Sequence, residues 1–220
     1  MEVLWMSGSP FAWRVLLAAE LKGVSYTSTI LKASDGEHKA PAYLAINPRG
    51  KVPSLRDGEL IVTESIAILA YLDRKHPDPA LFGRSPSEAG AIWSFVLDYE
   101  ANAVNQMLSL VRPIFFGGLE EKMAEVNEAS AALQLEFSRL EKILANQEWL
   151  VGNALSAADI SVFPTIKLIE RAIGAPAAHV IDLPVLPLSE THPNISAWCG
   201  RICKLPGFEK TYPPHWKSAS

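Results

Sequence analysis

Ser7-Gly8-Ser9-Pro10-Phe11-Ala12-Trp13-Arg14-Val15 sets how the first third of the chain is organised. Before it, Val3 to Met6 reads as a short buried strand. After it, Ala12 to Leu21 carries Val15, Leu16 and Ala19 at helical spacing, until Gly23 stops the helix. Ser25 to Leu31 reads as a second strand, and a β-α-β unit of this kind implies parallel strands with a right-handed crossover. Ser9 thus stands at the end of a strand and just before a helix N-terminus, where amides and the helix dipole favour negative charge. The residues alone leave two readings open: Ser9 as a helix cap, or Ser9 as a hydrogen-bond donor to a bound anion. A nucleophilic serine is disfavoured, because no Gly-x-Ser-x-Gly elbow and no evident His/Asp partner accompany it.

Further on, Val52 to Leu55 and Leu60 to Val62 flank Asp57-Gly58, a dipeptide suited to a tight hairpin. Val52-Pro53 interrupts the first of these strands where proline removes a ladder hydrogen bond. Either this is an ordinary edge-strand proline, or the bond is cis and turns the Val52 backbone outward to pair with an extended peptide ligand. Thr63-Glu64-Ser65 leads into a helix from about Ser65 to Arg74 that ends before His76-Pro77. Glu64 and Ser65 offer an acceptor for an ammonium and donors for a carboxylate, as an α-amino acid head group requires. A plain N-cap with a dipole-compensating glutamate accounts for them equally well.

After Pro77, Pro79 and Gly83 the sequence becomes helical in period, which places a boundary between a domain at 1–78 and one at 85–220. Ser85-Pro86-Ser87-Glu88 has the form of a capping box with proline at the first helical position. Ile92, Phe95, Val96, Tyr99, Ala103 and Met107 continue that helix, and Leu133, Phe137, Leu140 and Leu144 mark another stripe. Ser156 and Asp159 form a second box before Ile160, Phe163 and Ile166, with Pro164 expected to kink the helix. A last helix runs from about Pro193 to Lys204, and the tail Thr211-Tyr212-Pro213-Pro214-His215-Trp216 reads as extended.

Composition limits the functional classes. The 220 residues are 49% apolar with a net charge of −4. Through Asp78 there are 9 basic and 9 acidic residues, and beyond it 11 and 15. Neither part is basic, so nucleic acid and anionic membranes are unfavoured partners. No uncharged apolar run approaches the length of a spanning helix, and the start lacks a cationic leader, so a cytoplasmic protein is expected. Cys199 and Cys203, four apart in a helix, read as small apolar core residues; a disulfide there has poor geometry, and no metal site is expected.

Taken together, Ser9-Pro10-Phe11-Ala12-Trp13-Arg14-Val15 with Leu21-Lys22-Gly23-Val24-Ser25-Tyr26, Asn47-Pro48-Arg49-Gly50-Lys51-Val52-Pro53, the run Thr63 to Leu72, and the run Leu150 to Ser161 resemble the cytosolic glutathione transferases over essentially the whole chain. The resemblance is closest to serine-type classes, zeta, tau and their bacterial relatives. It implies an α/β thioredoxin-like first domain with a mixed four-stranded sheet, an all-helical second domain, glutathione as cosubstrate and, usually, a homodimer. It also implies that a glutathione thiolate attacks a hydrophobic electrophile lodged in a cleft between the domains.

By that resemblance Ser9 matches the hydroxyl that stabilises the thiolate, with Ser7 near enough to be mistaken for it. Lys39 matches a basic residue near the glycyl carboxylate, and Lys51 suits the same anionic end. Val52 and Pro53 match the residues at the cysteinyl moiety, and Glu64 and Ser65 the pair that holds the γ-glutamyl group. Ser156 and Asp159 match a structural capping box. For the electrophile pocket the candidates are Phe11, Tyr99, Met107 and Val111, with Phe115, Phe116 and Trp216 closing it. Zeta enzymes typically carry Ser-Ser-Cys where this chain has Ser9-Pro10-Phe11, which weakens the case for maleylacetoacetate isomerase. A glutathione-dependent isomerase, dehalogenase or ether-cleaving lyase remains the enzymatic alternative, and a non-catalytic glutathione-binding or scaffolding module the alternative outside enzymes.

Overall fold

Four strands form one mixed sheet in the order β2-β1-β3-β4 in the computed structural model, which describes residues 1–217. Strand β1 (Glu2–Trp5) pairs in parallel with β2 (Thr27–Ile30), as the β-α-β reading requires. It pairs antiparallel with β3 (Ser54–Asp57), and β3 turns at Asp57-Gly58 into antiparallel β4 (Leu60–Thr63). Gly58 has φ +60°, the left-handed conformation that this hairpin needs.

The crossover helix α1 (Pro10–Leu21) is buried from Ala12 through Ala19 rather than along one stripe. The reason is that it is covered twice, by α3 (Ser65–Lys75) and by the C-terminal segment containing α10 (Phe208–Thr211). A short helix α2 (Pro41–Leu44) lies between β2 and β3. At the far end of α1, Lys22 Nζ donates to Asp73 Oδ1 at 2.9 Å and to the carbonyls of His76 and Pro79 at 2.6 Å each. Asp73 in turn accepts from the Leu81 and Phe82 amides, so one buried ion pair ties α1, the end of α3 and the following loop together.

The chain divides into two compact units, Met1–Phe82 with Cys203–Ser220, and Gly83–Ile202. The expected second domain at 85–220 differs from this at its end, because the segment after Cys203 packs on α1. The tail is also not extended: Pro214–Lys217 forms a short helix, α11, and Trp216 is buried.

The second unit is helical. The box at Ser85 and Glu88 is fully made and starts α4 (Pro86–Tyr99). A π-helical turn at Glu100–Val104 joins it to α5 (Asn105–Phe116), so the periodicity through Met107 belongs to two helices. Helix α6 (Met123–Leu144) carries the stripe Leu133, Phe137, Leu140 and Leu144, all buried. Helix α7 (Ala157–Ile173) runs through Pro164, where Thr165 Oγ1 donates to Val162 O at 2.6 Å and meets Tyr99 Oη at 2.6 Å. A one-turn helix α8 (Leu188–Thr191) precedes α9 (Pro193–Cys203). Cys199 is buried, but Cys203, at the end of α9, is exposed and so is not the core residue its spacing suggested. Among the described residues no helix is long and apolar enough to cross a membrane, and no His, Cys, Asp and Glu group is placed to hold a metal ion.

Candidate functional site

Strand register brings three separate sequence segments to one end of the sheet. Leu4 pairs with Ser54, and Ser54 pairs with Thr63. Beyond Leu4 the chain leaves β1 toward Ser9; just before Ser54 it passes Val52-Pro53; just after Thr63 it enters Glu64-Ser65. Strands β1 and β4 lie two steps apart, about 10 Å. That is about the span of an extended tripeptide.

Ser9 is the N-cap of α1, and its Oγ accepts the Ala12 amide at 3.3 Å. A hydroxyl that accepts still has its proton to give, and this one goes to no acceptor among the described residues. Pro10 at the first helical position has no amide, and Trp13 N–H is engaged by the Ser9 carbonyl at 3.0 Å. The start of α1 therefore presents few free amides, and the Ser9 hydroxyl proton is the donor left available beside them. Ser7 is engaged elsewhere, with Oγ 2.6 Å from His215 Nδ1.

The Val52-Pro53 bond is cis. Val52 is half-buried and lies beyond the last ladder pair of β3. The preceding Lys51 carbonyl accepts from Tyr43 Oη at 2.7 Å and from Asn47 Nδ2 at 2.8 Å, which fixes the approach to Val52 from inside. Burial raises the Tyr43 phenol above its ordinary pKa, so it remains a donor. Asn47 also shapes the turn through its side-chain oxygen, which accepts the Arg49 amide at 3.1 Å. Lys39 is exposed and folds onto this turn, donating to Arg49 O at 3.3 Å; Gly50, at φ +56°, has room for no Cβ because the His38 backbone carbonyl would stand 2.8 Å away. Lys51 is exposed. The two lysines thus flank one turn.

Glu64 is exposed, caps α3 without a side-chain bond, and has φ 67° and ψ 119°, a strained conformation for a residue with a Cβ. Ser65 begins α3 and is buried; its Oγ accepts from Arg14 Nη1 at 3.3 Å. A guanidinium only donates, so the Ser65 proton is directed away from Arg14. Arg14 is wholly buried, with its guanidinium carbon 5.0 Å from the Phe11 ring centroid. Sequence reasoning missed Arg14, although a cation inside an otherwise apolar helical run was the available signal. It also missed His215, whose partner lies 208 positions away.

Tyr99, Met107 and Val111 are buried in the helical unit, and the Tyr99 hydroxyl is engaged by Thr165. All three pack into the interior of that unit. Trp216 is buried edge-on to Trp13, with ring centroids 5.5 Å apart. Phe11 is half-buried beneath Arg14, while Phe115 and Phe116 are exposed at the end of α5.

Residues 8–75 match the family model for the glutathione S-transferase N-terminal domain, and residues 90–206 match that for the C-terminal domain. The chain belongs to the glutathione S-transferase family. It is 34% identical to glutathione S-transferase 4 of Zea mays over 206 residues, covering 92% of this chain and 87% of that one. A probable glutathione S-transferase of Oryza sativa subsp. japonica is 34% identical over 224 residues, with 96% of each chain covered. The crystal structure of a glutathione S-transferase from the Antarctic clam Laternula elliptica superposes with a TM-score of 0.80 at 28% identity, covering 98% of this chain and 93% of that one. The protein is a glutathione transferase, and glutathione is its cosubstrate.

Proposed function

We propose that this transferase is serine-type: Ser9 stabilises the glutathione thiolate, which then attacks a hydrophobic electrophile such as an aryl halide. The observation that carries this reading is the register Leu4 to Ser54 to Thr63, which gathers Ser9, Val52 and Glu64-Ser65 within reach of one tripeptide. In that arrangement Lys39 and Lys51 face the glycyl carboxylate, Val52 beside Pro53 pairs with the cysteinyl backbone, and Glu64 and Ser65 hold the γ-glutamyl ammonium and carboxylate. The Ser65 proton, directed away from Arg14, serves as the donor to that carboxylate.

The thiol proton leaves to water, and the thiolate accepts the Ser9 proton in a hydrogen bond. Sulfur then forms a bond to the carbon bearing the halogen, and the halide departs with the bonding electrons. Lowering the thiol pKa by about two units requires about 2.7 kcal/mol of preferential anion stabilisation. A helix N-terminus supplies about 0.3–1 kcal/mol and a charge-assisted hydrogen bond about 1.5–3 kcal/mol, so the two together span the required amount.

The protein is proposed to act in the cytoplasm as a homodimer. Leu97 on α4 and Leu135 on α6 are 58% and 75% exposed, more apolar surface than those helices need when alone. Light scattering should report about twice the 24.0 kDa chain mass. The catalytic reading is tested by glutathione calorimetry followed by turnover of an aryl halide. Binding without turnover would favour the non-catalytic alternative, and absence of binding would remove the site assignment.

A further inference from the structure

The C-terminal segment returns to the loop that carries Ser9. Phe208, Tyr212 and Trp216 gather around Trp13, which meets Tyr212 and Trp216 edge-on at centroid separations of 5.7 and 5.5 Å. The Trp13 indole donates to Thr211 Oγ1 at 2.9 Å, and both residues are buried. Trp13 lies one helical turn beyond Ser9 on α1, so this anchor and Ser9 share one rigid element.

From the anchor, the turn Pro214–Lys217 carries His215 back to the other side of Ser9. His215 Nδ1 is 2.6 Å from Ser7 Oγ. Its ring also lies over Gly8 so closely that a Cβ there would stand 2.7 Å from Cε1 and 3.2 Å from Nε2. Gly8 has φ +83°; the Ser9 carbonyl is held by the Trp13 amide at 3.0 Å, while the Ser9 amide reaches Met6 O at 3.2 Å and its Oγ accepts the Ala12 amide at 3.3 Å, both long. The C-terminal turn adds a short contact at Ser7, on the side of the loop away from the α1 bond that holds the Ser9 carbonyl.

We propose that His215, acting through Ser7, is a positioning residue that fixes the Ser7-Gly8-Ser9 loop and so aims the Ser9 hydroxyl at the glutathione sulfur. This rests on the reading of Ser9 given above. The stabilisation of a developing thiolate depends steeply on where its donor stands, so a loop free to drift by about 1 Å gives up much of it. The anchor keeps the cost of ordering His215 low, because Trp216 next to it is already buried. The turn lies beyond both segments matched by the family models, which end at residues 75 and 206.

The test compares Ser9→Ala, Ser7→Ala, His215→Ala, His215→Asn and the Ser7→Ala/His215→Ala double variant in the full chain. The pKa of bound glutathione is read from thiolate absorbance, alongside calorimetric affinity and turnover. His215→Ala should raise the bound-thiol pKa and lower turnover about fivefold, the scale of one hydrogen bond, while glutathione affinity stays within about twofold. His215→Asn, which keeps a polar atom near the Nδ1 position, should recover most of the loss, and the double variant should lose no more than Ser7→Ala alone. If Ser9→Ala raises the thiol pKa and His215→Ala does not, the proposal is overturned while Ser9 keeps its role. If Ser9→Ala leaves the thiol pKa unchanged, the Ser9 reading fails and the positioning role fails with it.

Discussion

Ser9 at the start of α1 and Ser156 at the start of α7 both cap a helix, and each oxygen accepts an amide from the first turn, at 3.3 Å from Ala12 and 3.2 Å from Ala158. They differ in what becomes of the hydroxyl proton. Ser156 donates it to Asp159 Oδ2 at 3.1 Å, and Asp159 returns the bond by accepting the Ser156 amide at 2.9 Å. Asp159 also accepts the Leu150 amide and the Trp198 indole, each at 2.9 Å, so the box is closed and wholly buried. Ser9 is half-exposed, has no acidic partner in its first turn, and keeps its proton available. The same residue at the same helical position is structural where its proton is consumed inside the fold, and available for chemistry where it is not.

The largest expected effect is at the closed box. Asp159→Asn turns an amide donor toward groups that are themselves donors, leaving about two of them unsatisfied, which predicts a loss of about 3 kcal/mol. Glutathione affinity should be unchanged, and urea melts beside calorimetry check both. Burial raises the Asp159 carboxyl above its ordinary range, against the donors that pull it down. Because the folded-state value exceeds the unfolded one, the folded protein holds this proton more tightly. The contribution is complete below the unfolded pKa, about 4, and declines as pH rises through the folded value. The stability gap between wild type and Asp159→Asn should therefore narrow with rising pH, and a gap that widens would show that the donors outweigh burial.

Next in size is the paired substitution Ser9→Ala and Ser156→Ala. Losing a charge-assisted hydrogen bond of about 2 kcal/mol lowers turnover about 30-fold in Ser9→Ala, with affinity for glutathione nearly intact. Its melting should change less, since Ser9 caps α1 through the Ala12 amide alone, with no acidic partner in the first turn. Ser156→Ala should reverse this pattern, losing about 1–2 kcal/mol of stability with turnover unchanged. If both variants lost only stability, Ser9 would be a plain cap and the comparison would collapse.

These contrasts were partly legible in the sequence. Ser85 with Glu88 and Ser156 with Asp159 announce their boxes by spacing alone, since a capping box is made within four residues. The hairpin at Asp57-Gly58 and the parallel pairing of β1 and β2 follow from equally local signals. The partners of Arg14 and His215 were illegible because they lie 51 and 208 positions away, and no local pattern encodes such a contact, even though Arg14 itself stood out as a cation in an apolar run. Tyr99 and Met107, both buried, show a related limit: an aromatic or a methionine at helical spacing has the same pattern whether it faces a cleft or a core.

The smallest expected effect concerns Glu64, which caps α3 in a third way. Its side chain makes no cap bond, and its backbone sits at φ 67°, so in stability terms it is a liability at the position where Ser156 is an asset. A residue with a Cβ in such a conformation costs about 1–3 kcal/mol, whereas glycine adopts it readily. Glycine also makes the unfolded chain more flexible, which takes back about 0.5–1 kcal/mol. Glu64→Gly should therefore stabilise the protein by about 1 kcal/mol and at the same time weaken glutathione binding about fivefold by removing the acceptor for the γ-glutamyl ammonium. Opposite signs in one variant are the signature of strain retained for binding. Chemical denaturation and calorimetry on the same preparation measure both. A Glu64→Gly variant less stable than wild type would show that the Glu64 side chain supports the start of α3 after all, and unchanged affinity would take it out of the glutathione site.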